Sequence, residues 1–332
     1  MSERPLALAE LHVHLEGTAT QQMLRLLAAR RNVPAHHPVF TRGPAKAWSD
    51  FSSFLAAYDA AAAVFRAPED YEGVARDYLE TLARSGALYA ELTLAPQLAA
   101  DNRVGLLDLL RAVENSIRDA RETHGIEARI LVTAIRHRPV YEAEQLARDL
   151  ERNQSELVTG FGLAGDERVA ASCFEQAIAI ARTAGLGISV HAGEIGGPES
   201  VWDALSLPID RIGHGVRAIE DPRLVEELAA RRITLECCPG SNVDLGVCRD
   251  MSSHPAGALH NAGVRVTLNS DDPAFFSTSL AHEYQAARHA FQWTTADLHR
   301  ITATAIQAAF LDEPTRSRLL AELGSIVEDD NP

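Results

Sequence analysis

No stretch of this 332-residue chain approaches 18 uninterrupted apolar residues, so no membrane-spanning helix is expected. The first ten residues, MSERPLALAE, lack a basic segment leading into an apolar run, which argues against a secretory signal. Cysteine is sparse: Cys173, Cys237, Cys238 and Cys248, with no CxxC among them. That inventory excludes a disulfide framework and a cysteine-type zinc site, and it fits a reduced, cytoplasmic protein with buried or incidental thiols. Positive charge is also short. The net charge is −15, and no Lys/Arg cluster stands out. A protein that grips a nucleic-acid backbone or an anionic membrane needs a basic face, so both are disfavoured and a small-molecule ligand fits better. No GxGxxG follows the first strand-like run, which weighs against a dinucleotide-binding sheet. There are no repeats and no low-complexity linker.

What is present alternates. Short β-like runs occur at about 7–14, 88–94, 128–135, 157–164, 186–192, 211–215, 233–239 and 264–270. Amphipathic helical runs lie between most of them. One spans 173–185 and closes on Gly185; another spans 221–232, with Asp221 as cap and Pro222 at the first helical position. Eight near-continuous apolar strands, each followed by helix, predict a (β/α)8 barrel of the TIM type. A doubly wound α/β sheet is the alternative. The chain reads as one domain over 1–332, because a hydrophobic content of 46% supports a single large core. The connection from about 18 to 86 is unusually long and helical, with a Pro-rich interruption at 32–44; it is expected to lay extra helices over the barrel mouth. The acidic tail at 325–332 is expected to fray.

In such a barrel the active site lies at the C-terminal strand ends. Strand one ends in ELHVHLEG, which puts His12 and His14 on one face, two residues apart. Two neutral imidazoles aimed at one point bind a divalent ion such as zinc at about 2.0–2.1 Å. Gly17 then lets the chain turn. Strand five ends in VHAGE (His191 to Glu194), strand six in GHG (His214), strand seven in CCPGSN and strand eight in NSDDP (Asp271, Asp272). Taken singly, His191 also reads as a core histidine, Glu194 as a helix cap and Asp271–Asp272 as a turn before Pro273. Together they put ionisable groups, each beside Gly or Pro, where a barrel enzyme works. His254, His260, His282, His289 and His299 show no partner pattern and read as surface or structural, as does the pair His36 and His37.

The blocks ELHVHLEG, VHAGE, IGHGVRAIED, CPGSN and NSDDP, in this order, resemble the adenosine/adenine deaminase family of the amidohydrolase superfamily, over Glu10 to about Tyr284. The resemblance implies a zinc-bearing barrel that hydrolyses the 6-amino group of a purine to a 6-oxo group and ammonia. It makes His12, His14, His191 and Asp271 the ligands of one zinc. Glu194 is then the acid that protonates purine N1, and His214 touches the attacking water as base or electrostatic guide. Asp272 meets N7, Gly165 brings its amide to N3, and Glu16 stands on the sugar side. The HxE…PCxxC pattern of the nucleic-acid base deaminases is absent.

For the substrate, GFGLAGDE (160–167) and IGHG resemble the nucleoside enzymes, because the adenine-specific branch usually carries an aspartate before this histidine. That branch's PQTHT signature is present only as Pro96-Gln97. Against this, Glu16 replaces the aspartate of the nucleoside enzymes, and Gly162 replaces another. The reading favours adenosine and 2′-deoxyadenosine, with adenine or 6-aminodeoxyfutalosine as alternatives. A barrel that binds zinc and purine without catalysis is a further alternative, opposed by the presence of both Glu194 and His214. Oligomeric state has no signature in the sequence.

Overall fold

The computed structural model describes residues 6–33 and 48–330. Eight strands form one sheet in sequential order, every neighbour parallel: β1 (Leu8–His14), β2 (Ala87–Leu94), β3 (Glu127–Ile135), β4 (Val158–Ala164), β5 (Gly187–Ala192), β6 (Arg211–His214), β7 (Thr234–Cys237) and β8 (Arg265–Leu268). The expected strands all lie within two residues of these bounds, the last three overrunning by one or two residues at their C-terminal ends. There a glycine turn after His214, Pro239, and the turn at Asp271 end the ladders early.

The sheet closes just beyond β8. A parallel bridge pairs Val13 with Asp271. The amide of His14 donates to the Asp271 carbonyl at 2.9 Å, and the amide of Asp271 donates to the His12 carbonyl at 3.1 Å. Buried side chains reinforce the seam. Asn269 Oδ1 accepts from the Leu11 amide at 2.8 Å, and Glu10 Oε1 accepts from the Ser270 amide at 2.7 Å. The other Glu10 oxygen accepts from Tyr78.

Outside the strands, Ile, Leu, Val and Ala from both strands and helices form one continuous core. The barrel's interior is different. Instead of layers of branched aliphatics, an ion cluster crosses it. Arg211 on β6 forks onto Glu91 of β2 and donates through Nε to Glu236 Oε1 of β7 at 2.6 Å. All three are about 98% or more buried. Below the cluster, Phe310 plugs the floor. Its ring lies 3.7 Å from the Arg211 guanidinium carbon and occupies the space that Cβ atoms on Gly160 and Gly187 would need.

The connection from β1 to β2 divides in two. Helix Pro68–Arg84 packs on helix Leu106–His124 as part of the outer ring. Helix Phe51–Ala62 packs instead against the turn Glu16–Thr18 and helix Pro96–Asp101, at the mouth. The Pro-rich interruption, with His36 and His37, falls mostly outside the described residues. Helix Glu313–Asp330 runs through most of the tail segment expected to fray. Among the described residues no helix is long and apolar enough to cross a membrane.

A charge cluster this deep is costly to break, because removing one partner leaves the others charged and dry. Arg211→Met is expected to lower the unfolding free energy by about 3–5 kcal/mol, read from the shift in denaturation midpoint. An unchanged midpoint would show that Glu91 and Glu236 do not depend on Arg211.

Candidate active site

The closure of the barrel assembles the candidate metal site. The bridge between Val13 and Asp271 sets His12 and His14, one on each side of Val13, against the Asp271 carboxylate. Asp271 Oδ1 lies 3.4 Å from Nε2 of both histidines. His191, two residues after Ser189 on β5, brings its Nε2 to 3.3 Å from that of His14. A tetrahedron with vertices about 2.0–2.1 Å from its centre has edges of about 3.3–3.4 Å, so these separations suit zinc. His12 Nε2 is buried and makes no hydrogen bond, as a ligating nitrogen should.

Charge points the same way. Burial alone would depress His12, but Asp271 and Glu236, one on each ring nitrogen, lift it to about 10, so the spot favours a cation. Burial takes His14 down to about 4 and His191 well below its usual value, leaving both as the neutral imidazoles that bind metal. Asp271 is held low despite its burial, by the His12 contact and the surrounding imidazoles. The four residues therefore fit a zinc ion in donor type, spacing and charge.

Two local features permit this crowding. A Cβ on Gly213 would lie 2.8 Å from His12 Cε1 and 3.2 Å from His191 Nδ1, so only glycine leaves room for the rings. Two non-glycine residues take the left-handed backbone region: His214 at φ 62° and Asp271 at φ 61°. This is uncommon for residues with a Cβ, and here it turns two side chains inward where the strands end.

Glu194 and His214 face each other, with Oε2 and Nε2 3.6 Å apart. Burial, then the charges of Asp271 and Glu167, pushes the Glu194 carboxyl well up, which favours its protonated form. The loop carrying Glu194 hangs on the Glu167 carboxylate, which accepts from the Glu194 amide at 3.0 Å and the Gly196 amide at 2.6 Å. Burial and the neighbouring Asp271 likewise raise Asp272. Its Oδ1 is buried without a hydrogen-bond partner. Asp272 also explains Gly17: a Cβ there would fall 1.9 Å from Asp272 Oδ1. Gly17 is thus needed for close approach rather than for a turn.

A cavity leads to this cluster. Its polar wall holds His14, His191, Glu194, His214, Asp271 and Asp272, and Gly165 lies on its rim at φ 95°. Phe51, Phe54, Leu55 and Tyr58 of the mouth helix close the other side with Leu98 and Ile135. Glu16 does not line it. Its Oε2 accepts from Tyr58 OH at 3.0 Å, and burial raises the carboxyl to about 7. Of the nine expected site residues, seven line this cavity, His12 joins them through the metal cluster behind it, and Glu16 stands behind Tyr58.

Several participants escaped the sequence reading. Glu236 Oε2 lies 2.9 Å from His12 Nδ1, and Arg136 holds the His191 carbonyl. Thr133 and His137 line the cavity. Cys238 is free and places its sulfur within 4.8 Å of ligand atoms of His12, His214 and Asp271. His254, read as surface or structural, is 3% exposed and bonded to Asn242. Of these, only Cys238 and Asn242 stand in a block the sequence singled out, CCPGSN.

Residues 7–326 match the family model described as adenosine deaminase. An adenine deaminase of Sinorhizobium fredii is 46% identical over 317 residues, 95% of this chain and 97% of its own. An adenine deaminase of Chelativorans is 47% identical over 322 residues, 96% and 98% of the two chains. Among solved structures, adenine deaminase from Arthrobacter aurescens superposes with a TM-score of 0.91 at 28% identity, covering 97% of this chain and 99% of its own. A Burkholderia ambifaria amidohydrolase with bound zinc gives 0.89 at 25%, covering 98% and 92%. The chain belongs to the adenosine deaminase family, hydrolases acting on the carbon–nitrogen bond of cyclic amidines.

Proposed function

We propose that this protein is a zinc-dependent deaminase of 6-aminopurines whose substrate is the free base adenine, converted with water to hypoxanthine and ammonia. The observation that carries the reading is the convergence of His12, His14, His191 and Asp271 beside a protonated-leaning Glu194. His12, His14, His191 and Asp271 would hold one zinc ion, a Lewis acid that makes hydroxide available near neutral pH. Glu194 gives its proton to N1, which makes C6 electrophilic. Asp272, kept protonated by burial, donates to N7, and the Gly165 amide meets N3. His214 contacts the oxygen that adds to C6. The C6–N bond then breaks and ammonia leaves. The chain acts as one barrel domain, with helix Phe51–Ala62 of the 18–86 connection screening the mouth.

The free base is favoured over the nucleoside expected from GFGLAGDE and IGHG. The adenine deaminases of Sinorhizobium fredii and Chelativorans align with this chain nearly end to end at 46% and 47% identity. In the site, the Glu16 carboxylate, which the family resemblance assigned to the sugar, is engaged by Tyr58. Phe54, Leu55, Leu98 and Ile135 make much of the cavity wall away from the cluster apolar, which suits a flat base better than a hydroxyl-rich sugar.

Three measurements test this. An ultraviolet assay on adenine, adenosine, 2′-deoxyadenosine and 6-aminodeoxyfutalosine should give adenine a kcat/KM at least about 10²-fold above the others. A preference for adenosine would overturn the free-base reading and leave the metal site intact. His14→Ala should lose bound zinc and turnover together, by metal analysis and assay. Glu194→Gln should keep zinc and lose at least about 10²-fold in kcat, because an amide cannot deliver the proton. Full turnover by that variant would remove Glu194 from the chemistry.

A further inference from the structure

His214 can serve the reacting oxygen in two opposite ways, by taking its proton or by donating a hydrogen bond to it. Which one it does depends on the ring nitrogen that carries hydrogen. We propose that His254 and Asn242 are positioning residues that lock His214 in the Nε2–H tautomer, so that His214 donates a hydrogen bond to the attacking oxygen and is not its base. The inference rests on the deaminase reading of the site.

The argument begins at a group whose role is not in question. The backbone N–H of Ala256 can only donate, and it lies 3.2 Å from His254 Nδ1. His254 therefore accepts at Nδ1. It is buried, and burial lowers it to about 4, so it is neutral at physiological pH and must carry its hydrogen on Nε2. His254 Nε2 lies 3.1 Å from Asn242 Oδ1. That donor fixes the amide of Asn242: oxygen toward His254, nitrogen toward His214. Asn242 Nδ2 stands 3.4 Å from His214 Nδ1 and can only donate, so His214 accepts at Nδ1 and keeps its hydrogen on Nε2. That Nε2 faces Glu194 and the metal cluster.

Reversing the chain is unfavourable at every link. Turning the Asn242 amide would set its NH2 against the His254 N–H, and its oxygen would then require hydrogen on His214 Nδ1. Asn242 is fully buried and His214 is 1% exposed, so water cannot repair a mismatch. The three residues come from consecutive parts of the fold. His214 ends β6, Asn242 lies in helix Pro239–Asp244 after β7, and His254 precedes helix Ala256–Asn261. The CPGSN segment thus acquires a function through its asparagine, and the single His254 through the backbone that follows it.

Selective 15N-histidine labelling of the zinc-loaded enzyme tests this through long-range 1H–15N spectra, with His214→Asn used to assign the His214 signals. Wild-type His214 is expected to be Nε2–H. In Asn242→Asp the carboxylate accepts from both histidines, so His214 should switch to Nδ1–H. Its kcat should then fall by about 10–100-fold, the range for partners one step behind reactive groups, while KM and zinc content stay near wild type. His254→Phe should lower kcat in the same direction, and His254→Gln, which still offers an N–H to Asn242, should recover most of it. Nδ1–H in the wild-type enzyme, or wild-type kcat in both Asn242→Asp and His254→Phe, would overturn the proposal. Should the wild-type enzyme deaminate none of the purines, the deaminase reading fails by itself, while the spectra still decide the tautomer.

Discussion

One carboxylate joins the core of this barrel to its chemistry. Glu236 is fully dehydrated, and both its oxygens are in use. Oε1 accepts from Arg211 Nε at 2.6 Å and Ser189 Oγ at 2.9 Å, and Oε2 meets His12 Nδ1 at 2.9 Å. Arg211 in turn is held by Glu91, whose Oε1 also accepts from the Phe310 amide at 2.8 Å at the floor. The line from floor to metal ligand is therefore continuous and charged. Arg211 and His12 keep Glu236 ionised against its burial. An ionised Glu236 then claims the Nδ1 hydrogen of His12 and leaves Nε2 free to ligate, as the carboxylate behind a ligating histidine does. A purely aliphatic interior would pack as well but could not orient that ring. The ionic interior is best understood as support for the site, since a buried ion cluster of itself adds little stability over well-packed apolar groups.

Closure of the sheet is the second constraint, and it cannot be separated from ligand placement. The same hydrogen bonds that pair β1 with Asp271 put the carboxylate against two histidines. Glu10, with Ser270 and Tyr78, holds the seam from inside. The left-handed backbone at His214 and Asp271 is strain that such a scaffold sustains. Loosening the seam would cost the site its geometry before it cost the protein its fold. Gly213 belongs to the same economy of space, because any side chain there would displace His12 and His191.

The legibility of the sequence follows from these physical differences. The strands were readable because parallel strands covered by helices are apolar along their length, and the polar cluster at their ends because ionisable residues beside glycine there have few structural uses. Glu236, Arg211 and Glu91 were not readable. Each sits in an apolar strand as an isolated charge, and only closure of the barrel brings β2, β6 and β7 within reach. His254 was readable only as surface or structural for a related reason: its partner is an asparagine twelve residues away and its anchor is a backbone amide, neither of which leaves a pattern. Gly17 was assigned a turn when it serves the approach of Asp272, a contact spanning nearly the whole chain.

The substrate was the least legible feature, and the architecture explains why. The ring chemistry is carried by strand ends, whose positions are dictated by the sheet. The mouth is carried by helix Phe51–Ala62, which belongs to a long connection and meets the barrel through a few contacts, among them Tyr58 with Glu16. A change of one methylene at position 16 leaves the metal site untouched but changes what a tyrosine from another element can do. With an aspartate there, the Tyr58 hydroxyl would lose a partner it now reaches at 3.0 Å, and the carboxylate would be open to a ligand. Under the free-base proposal, discrimination between a base and its nucleoside rests on a pair of residues 42 positions apart, whereas the motifs that identify the reaction are local. A sequence motif can announce the chemistry of such a barrel, but the shape of its mouth is set where the mouth helix meets the first strand.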